Sequence, residues 1–133
     1  MEKFFMKKVD NFRNSLETLC KVPDADYQND KLILAGCVNT FCMTFELAWK
    51  AMKEILKEQG VPDAVTGSPK QILELAFHFG MIQDEKMWLM MLRVRNDETH
   101  YYNEEAAKQV CFDSEKYIEI FQELNGKMKE MGY

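Results

Sequence analysis

The sequence is poor in helix-breaking residues and in residues that bind metal ions. It contains only three prolines, six glycines and two histidines among its 133 residues. The four cysteines, Cys20, Cys37, Cys42 and Cys111, include no CxxC pair, and two histidines are too few to complete a recognisable zinc pattern with them. We therefore expect reduced, structural thiols, no bound metal and no cofactor.

Long apolar runs and common catalytic motifs are also missing. The longest apolar run near the middle of the chain, LILAGCV from Leu32, is far shorter than the roughly 20 residues that span a bilayer. The N-terminal MEKFFMKKVDNF lacks the uninterrupted apolar core of a secretory signal. There is no glycine-rich phosphate loop, no GxSxG, no HExxH and no internal repeat. We expect a cytoplasmic protein without membrane contact.

Positive charge is in short supply as well. The chain has 22 acidic and 17 basic side chains, and its formal net charge is -5. The surface as a whole should repel a phosphate backbone, so any contact with nucleic acid must be local. A length of 133 residues with 47% apolar and 29% charged residues predicts one compact domain that covers residues 1–133.

Apolar residues recur at helical spacing through most of the chain, and strand-like alternation is absent. Each helical segment is flanked by residues that favour helix ends. The predicted starts are Asp30, Ser68, Asp84 and Asn103, and the predicted stops are Pro23, Gly60 and Gly80. The first apolar stripe begins at Phe5, and one final helix carries a heptad stripe from Ala107 to Met131, with Ser114 as the only polar interruption. The fold class is all-α: an up-and-down antiparallel bundle of four to five helices.

The fourth predicted helix opens with KMWLMML, which is apolar around most of its circumference. Such a helix requires burial on two sides. We expect one side to pack inside the domain and the other against a further protein, in a homodimer or a hetero-oligomer.

One group of residues has the chemistry of a site. Arg95 offers a permanent charge in a planar fork that suits phosphate oxygens, and His100 can exchange a proton near neutral pH. Asn96 shares a helix face with His100, and Arg95 can join them if the helix ends near Thr99. Without a metal, this set could cleave RNA. The alternative is structural: Arg95 pairs with a carboxylate and His100 simply ends a helix.

Four blocks, in order, resemble the nucleotidyltransferase substrate-binding family, a branch of the HEPN superfamily. They are TFELAWK from Thr44, GSPKQILELAFHFGMI from Gly67, the tryptophan of the fourth helix, and MLRVRNDETHYYNEEAA from Met91. The resemblance implies a helical dimer that pairs with a separate small bacterial nucleotidyltransferase. Relatives commonly carry a basic and an acidic residue where this chain has Thr40 and Cys42.

The resemblance also implies roles for individual residues. The superfamily signature is an arginine followed by a polar residue and, four to six residues further on, a histidine, and Arg95, Asn96 and His100 match it. In toxin members a tyrosine two places after the histidine can receive nucleotides, and Tyr102 stands there. The implied function is that of a non-catalytic accessory subunit that binds nucleotide or nucleic acid. The alternatives are a metal-independent endoribonuclease toxin, neutralised by its nucleotidyltransferase antitoxin, and a plain helical scaffold.

Overall fold

The computed structural model describes residues 2–133, with side chains from residue 7 onward. In this part of the chain there are six α-helices and no strand. The helices are α1 (Glu2–Leu19), α2 (Lys31–Glu58), α3 (Pro69–His78), α4 (Glu85–Asn96), α5 (Glu104–Phe112) and α6 (Ser114–Glu130). Short 3-10 turns occupy Val22–Asp24, Pro62–Ala64 and Glu98–Tyr101. The predicted all-α class is confirmed. Phe5, where the first apolar stripe is predicted to begin, lies outside the residues whose side chains are described.

The long helix α2 is the centre of the bundle. It packs against α1, α3, α4 and α5, and α6 closes the bundle against α1. Four aromatic side chains, Phe12, Phe41, Trp88 and Phe121, bring α1, α2, α4 and α6 together in the core, and each is at most 2% exposed. The apolar spacing seen in the sequence therefore does mark the buried faces.

By length and composition alone, α2 could cross a membrane, although its uninterrupted apolar runs are short. In its most apolar window, 44% of the residues are buried inside the bundle. Such burial is expected of the core helix of a globular protein, which is apolar around much of its circumference.

The predicted helix starts are confirmed by their capping hydrogen bonds. Ser68 Oγ accepts the Gln71 N–H at 3.3 Å, and Gln71 Oε1 accepts the Ser68 N–H at 2.9 Å, which completes a capping box. The side chains of Asp30, Asp84 and Asn103 likewise accept N–H groups of the first turns of α2, α4 and α5. These residues are reliable local signals because their side chains accept hydrogen bonds from backbone N–H groups that have no partner within the helix.

The prediction of one continuous final helix was wrong. A single residue, Asp113, separates α5 from α6; it has φ -81° and ψ -1°. The stripe nevertheless stays buried on both sides of the break, from Ala107 through Phe121 to Met128. Because the buried stripe continues across this one residue, the apolar spacing gives no sign of the interruption.

The apolar surplus of α4 is absorbed largely within the domain. Trp88 and Met91 are buried, and Met87, Leu89, Leu92 and Val94 are partly buried against the core. Met90 remains 40% exposed. The fourth helix therefore presents less free apolar surface than its sequence indicates, because α2 and α3 both pack against it.

Two glycines provide a matched test of the backbone. Gly80 ends α3 with φ +78°, whereas Gly36 lies inside α2, and an added Cβ would meet no atom within 4 Å at either position. Gly80→Ala should lower the free energy of unfolding by about 1 to 2 kcal/mol, because a residue with a side chain is strained in the left-handed conformation. Gly36→Ala should raise the free energy of unfolding by about 0.5 to 1 kcal/mol, because alanine has a higher helix propensity than glycine. Urea unfolding measures both, and shifts of the same sign would contradict this interpretation.

Candidate functional site

The two ends of the RNDETH segment belong to different elements. Arg95 and Asn96 are the last residues of α4, which stops at Asp97, where the backbone is extended. Asp97 Oδ1 then accepts the Thr99 N–H at 3.0 Å and starts the 3-10 turn Glu98–Tyr101 that contains His100. The predicted break in the helix is therefore present, two residues before Thr99.

The guanidinium of Arg95 is held by a carboxylate of α2. Its Nη2 lies 2.9 Å from Glu46 Oε2, and its Nη1 donates to Asn96 Oδ1 at 3.2 Å. Glu46 Oε2 also accepts the indole N–H of Trp49 at 3.0 Å, and Glu46 Oε1 lies 3.4 Å from Lys50 Nζ. Arg95 thus has the carboxylate partner that the structural alternative requires, and Glu46 is the centre of a network of charged and polar groups.

The environment of Glu46 favours its ionised form. Partial burial acts to raise the pKa of this carboxyl, but the Trp49 hydrogen bond and the positive charges of Arg95 and Lys50 outweigh burial. Together they hold the pKa of Glu46 below its ordinary value of 4.5. The network therefore stabilises the fold only while Glu46 is charged.

Glu46→Gln should lower the free energy of unfolding by about 1 to 2 kcal/mol at pH 7, because hydrogen bonds to a charged group are lost. The contribution of Glu46 is complete above about pH 4.5 and disappears as the pH falls through the lowered pKa of the folded state. The difference between variant and parent should therefore shrink below that pH. Glu54→Gln, which loses only the 3.4 Å pair with Lys57 on the same helix, is the control. A difference independent of pH would contradict the assignment.

His100 is buried, and its ring nitrogens have no hydrogen-bond partner in the described part of the chain. The residue is 6% exposed, and neither Nδ1 nor Nε2 is paired. Its ring lies against Tyr101, with centroids 4.4 Å apart. Because buried polar atoms are almost always paired, these two nitrogens mark a place where a partner belongs.

Two cavities adjoin His100. The larger, of about 300 Å³, is lined by Leu34, Ala35, Val38, His100, Tyr101 and Tyr102 together with neighbouring residues, and we call it the tyrosine cavity. The smaller, of about 210 Å³, is lined on its polar side by Asp97, Gln109, Asp113 and Tyr117. His100 separates an aromatic, mostly apolar space from an acidic one.

Tyr101 interacts with both His100 and Cys42. Its ring contacts His100, and its hydroxyl hydrogen-bonds to the Cys42 thiol. The positive charge of Arg95 also acts on this thiol. Burial raises the pKa of Cys42, and Arg95 and Tyr101 oppose this rise. Tyr102 is 80% exposed at the edge of the tyrosine cavity, whereas Arg95 and Asn96 do not line it. The four predicted site residues thus form two groups: Arg95 with Asn96, and His100 with Tyr102.

Sequence reasoning missed Glu46, Cys42 and Tyr101 as parts of this site. The i, i+4 spacing of Glu46 and Lys50 favours an ion pair on a helix, and the pair is present. The contact with Arg95 spans 49 residues, and no local pattern indicates it. The available signal was that Glu46 lies inside the TFELAWK block. The hydroxyl of Thr40 donates to the Gly36 carbonyl at 2.8 Å.

Other chemically notable residues lie elsewhere. His78 is exposed in the last turn of α3, with its ring edge-to-face against Phe79 at 5.1 Å. The four cysteines are free, and in the part of the chain that the structure describes no cluster of His, Cys, Asp and Glu could hold a metal ion. Trp88 is a core residue.

The fold is an all-helical bundle with an arginine–histidine segment at the end of α4. The chain matches the family described as "Nucleotidyltransferase substrate binding protein like" over residues 7–130, and it belongs to this family. A relative from Haemophilus influenzae named "Probable ribonuclease HepT" is 32% identical over 88 residues. That match covers 65% of this chain and 60% of the relative, so it spans less than two thirds of either protein.

Two solved structures have the same fold. A protein from Thermus thermophilus is 25% identical, with a TM-score of 0.75, over 87% of this chain and 97% of its own. A Haemophilus influenzae protein, described as revealing the fold of a substrate binding domain of a nucleotidyltransferase, is 20% identical with a TM-score of 0.71. That similarity covers 96% of this chain and 98% of the other. At 20% identity it concerns the fold alone.

Proposed function

We propose that this protein is the accessory, substrate-binding subunit of a two-component bacterial nucleotidyltransferase system. It binds a separate small nucleotidyltransferase as a homodimer or hetero-oligomer, and it presents a nucleotide or nucleic acid, or its own Tyr102, to that enzyme. The family match over residues 7–130 is the observation that carries this proposal. The exposure of Tyr102 supports it, because a hydroxyl that receives a group must be reachable from outside.

The surroundings of Arg95 favour an accessory role over catalysis by the isolated chain. A catalytic phosphate clamp needs a free guanidinium, and here Glu46 occupies one face of Arg95. Asp97 and Asp113 line the smaller cavity beside His100, where they would repel a phosphate. The net charge of -5 also repels a phosphate, at longer range.

Co-expression tests the partner. The chain should co-purify with the nucleotidyltransferase encoded beside it at a fixed stoichiometry, and sedimentation of the chain alone should show more than a monomer at micromolar concentration. The exposed apolar side chains Leu32, Met43 and Phe112 leave surface available for such contacts. An unrelated nucleotidyltransferase of similar size is the control. A monomer that fails to bind the neighbouring enzyme at any ratio would overturn the proposal.

A second candidate is a metal-independent endoribonuclease of the HEPN toxin type. It is favoured by the Arg95, Asn96 and His100 pattern and by the similarity to a protein named as a probable ribonuclease. In this function His100 transfers the proton, and Arg95 stabilises the negative charge that develops on the phosphate. Asn96 orients these two side chains, and modification of Tyr102 switches the activity. Binding of RNA would have to displace Arg95 from Glu46.

RNA cleavage assays distinguish the two functions. An endoribonuclease of this kind should leave 2′,3′-cyclic phosphate ends, remain active in EDTA and lose activity at least about 100-fold on His100→Ala. His78→Ala, which changes an exposed histidine outside the site, is the matched control. Equal RNA cleavage and equal toxicity of the parent and His100→Ala would exclude this second function.

A further inference from the structure

We propose that a cavity at the junction of α5 and α6 binds a guanidinium group carried on an apolar stem. The cavity has a volume of about 380 Å³ and lies between Pro23 and Tyr27, after α1, and residues 111–116. We call it the junction cavity. It shares only Asp113 with the two cavities beside His100. Such a site goes beyond the proposed function and does not depend on it.

Ser114 brings a buried hydroxyl without a hydrogen-bond partner to the junction cavity. The residue lines the cavity and is 1% exposed, and its Oγ is unpaired in the described part of the chain. Buried polar atoms of this kind are rare, because leaving them unpaired lowers the stability of the fold. A hydroxyl oxygen accepts hydrogen bonds, so a ligand that carries N–H donors would satisfy it.

The charged side chains at the cavity carry an excess of negative charge. Asp113 and Glu115 line it together with one ammonium group, that of Lys116. Lys116 Nζ lies 3.6 Å from Asp113 Oδ1, whereas Glu115 belongs to none of the ion pairs among the described residues. Residues 22–30, which form the opposite wall, include three aspartates and no basic residue. These charges favour a cationic ligand.

The two helix ends at the cavity do not reverse this preference. α5 ends at Phe112 and α6 begins at Ser114, so the negative end of one helix dipole lies beside the positive end of the other. The two dipoles therefore offset each other. The side chains decide which charge the cavity prefers.

Two aromatic side chains favour a guanidinium over an ammonium. Phe112 is 70% exposed, Tyr27 is partly buried against the core, and both line the cavity. A guanidinium is planar and weakly hydrated, and it stacks on aromatic rings while its N–H groups reach several acceptors at once. An ammonium is compact and strongly hydrated. A cavity with aromatic walls, carboxylates and a buried hydroxyl therefore suits a guanidinium with an apolar stem.

NMR titration of the full chain tests the site with N-butylguanidine and its uncharged analogue N-butylurea. N-Butylguanidine should bind at least about tenfold tighter, because hydrogen bonds between charged groups add to the contacts that both molecules make. The amide signals of residues 111–116 should shift most.

A capped Ala-Arg-Ala tripeptide distinguishes two sources of the guanidinium, a free small molecule and an arginine of a partner protein. Tighter binding of the tripeptide than of N-butylguanidine would assign the site to an arginine of a partner. Equal or weaker binding of the tripeptide would assign it to a free guanidine.

Two charge variants on α6 should change the affinity in opposite directions. Glu115→Gln should weaken binding of N-butylguanidine at least about threefold relative to Glu119→Gln, which makes the same change outside the cavity. Lys116→Gln removes the cation that competes for Asp113 and should tighten binding about twofold to fivefold. Lys129→Gln, near the far end of the helix, is its control and should leave the affinity unchanged.

Ser114→Ala separates ligand binding from folding. The variant loses an unpaired buried hydroxyl, so it should unfold at the same or a higher urea concentration than the parent. Its affinity for N-butylguanidine should nevertheless fall at least about threefold, because the ligand loses an acceptor. Equal binding of N-butylguanidine and N-butylurea, no binding of either, or weaker binding by Lys116→Gln would each overturn the site. Unchanged affinity in both Glu115→Gln and Ser114→Ala would do the same.

Discussion

Phe121→Ala should lower the free energy of unfolding by about 3 to 5 kcal/mol, the range expected when a buried phenylalanine is truncated in a packed core. Phe121 is fully buried and contacts Phe12, Phe41 and Trp88, with ring centroids 6.0, 6.4 and 5.4 Å away. These rings belong to four helices, so a cavity at this point cannot close by moving one of them. Chemical denaturation followed by circular dichroism measures the loss.

Phe112→Ala makes the same chemical change nine residues earlier. Phe112 is 70% exposed at the end of α5, so its truncation should change the stability by no more than about 0.5 kcal/mol. A Phe121 variant as stable as the Phe112 variant would show that the aromatic cluster does not hold the bundle together.

Tyr102→Phe should abolish transfer of a nucleotide to this protein by its nucleotidyltransferase. In the proposed reaction the Tyr102 hydroxyl oxygen bonds to the α-phosphorus of a nucleoside triphosphate. The bond to the β-phosphate breaks, pyrophosphate leaves, and the hydroxyl proton is released. Phenylalanine keeps the ring and removes the only reacting atom. Intact-mass spectrometry after co-expression should show one added nucleotidyl group on the parent and none on the variant.

Tyr101→Phe is the matched control, because the Tyr101 hydroxyl is engaged with Cys42 and its ring is less exposed. That variant should still accept the nucleotide. Modification of Tyr102→Phe to the same extent as the parent would remove Tyr102 from the proposed function, and peptide mapping would then identify the residue that is modified.

Local signals in the sequence predicted the helices well, and they did so for a physical reason. The capping residue Ser68 and the positive-φ Gly80 act on backbone groups within a few residues, so their effect can be read without the rest of the chain. Apolar spacing identified the buried stripe from Ala107 to Met128. It did not reveal the interruption at Asp113, because the buried stripe continues on both sides of this residue.

The site was predicted only in part. The pattern of Arg95, Asn96 and His100 is local and was recognised together with the family blocks, and the pairing of Glu46 with Lys50 followed from helix geometry. Which carboxylate holds Arg95 depends on how α4 packs beside α2, and whether His100 is buried depends on the position of α5. Both are consequences of packing between distant segments.

The sequence by itself determined the all-helical class, the helix starts and the family, because each depends on spacing along the chain. Only the tertiary structure decided that Glu46 pairs with Arg95 and that Tyr101 stands between His100 and Cys42. It also decided that Tyr102 faces outward beside a cavity. The physical reason is that contacts across 49 or more residues follow from the burial of whole helix faces, which no short segment specifies.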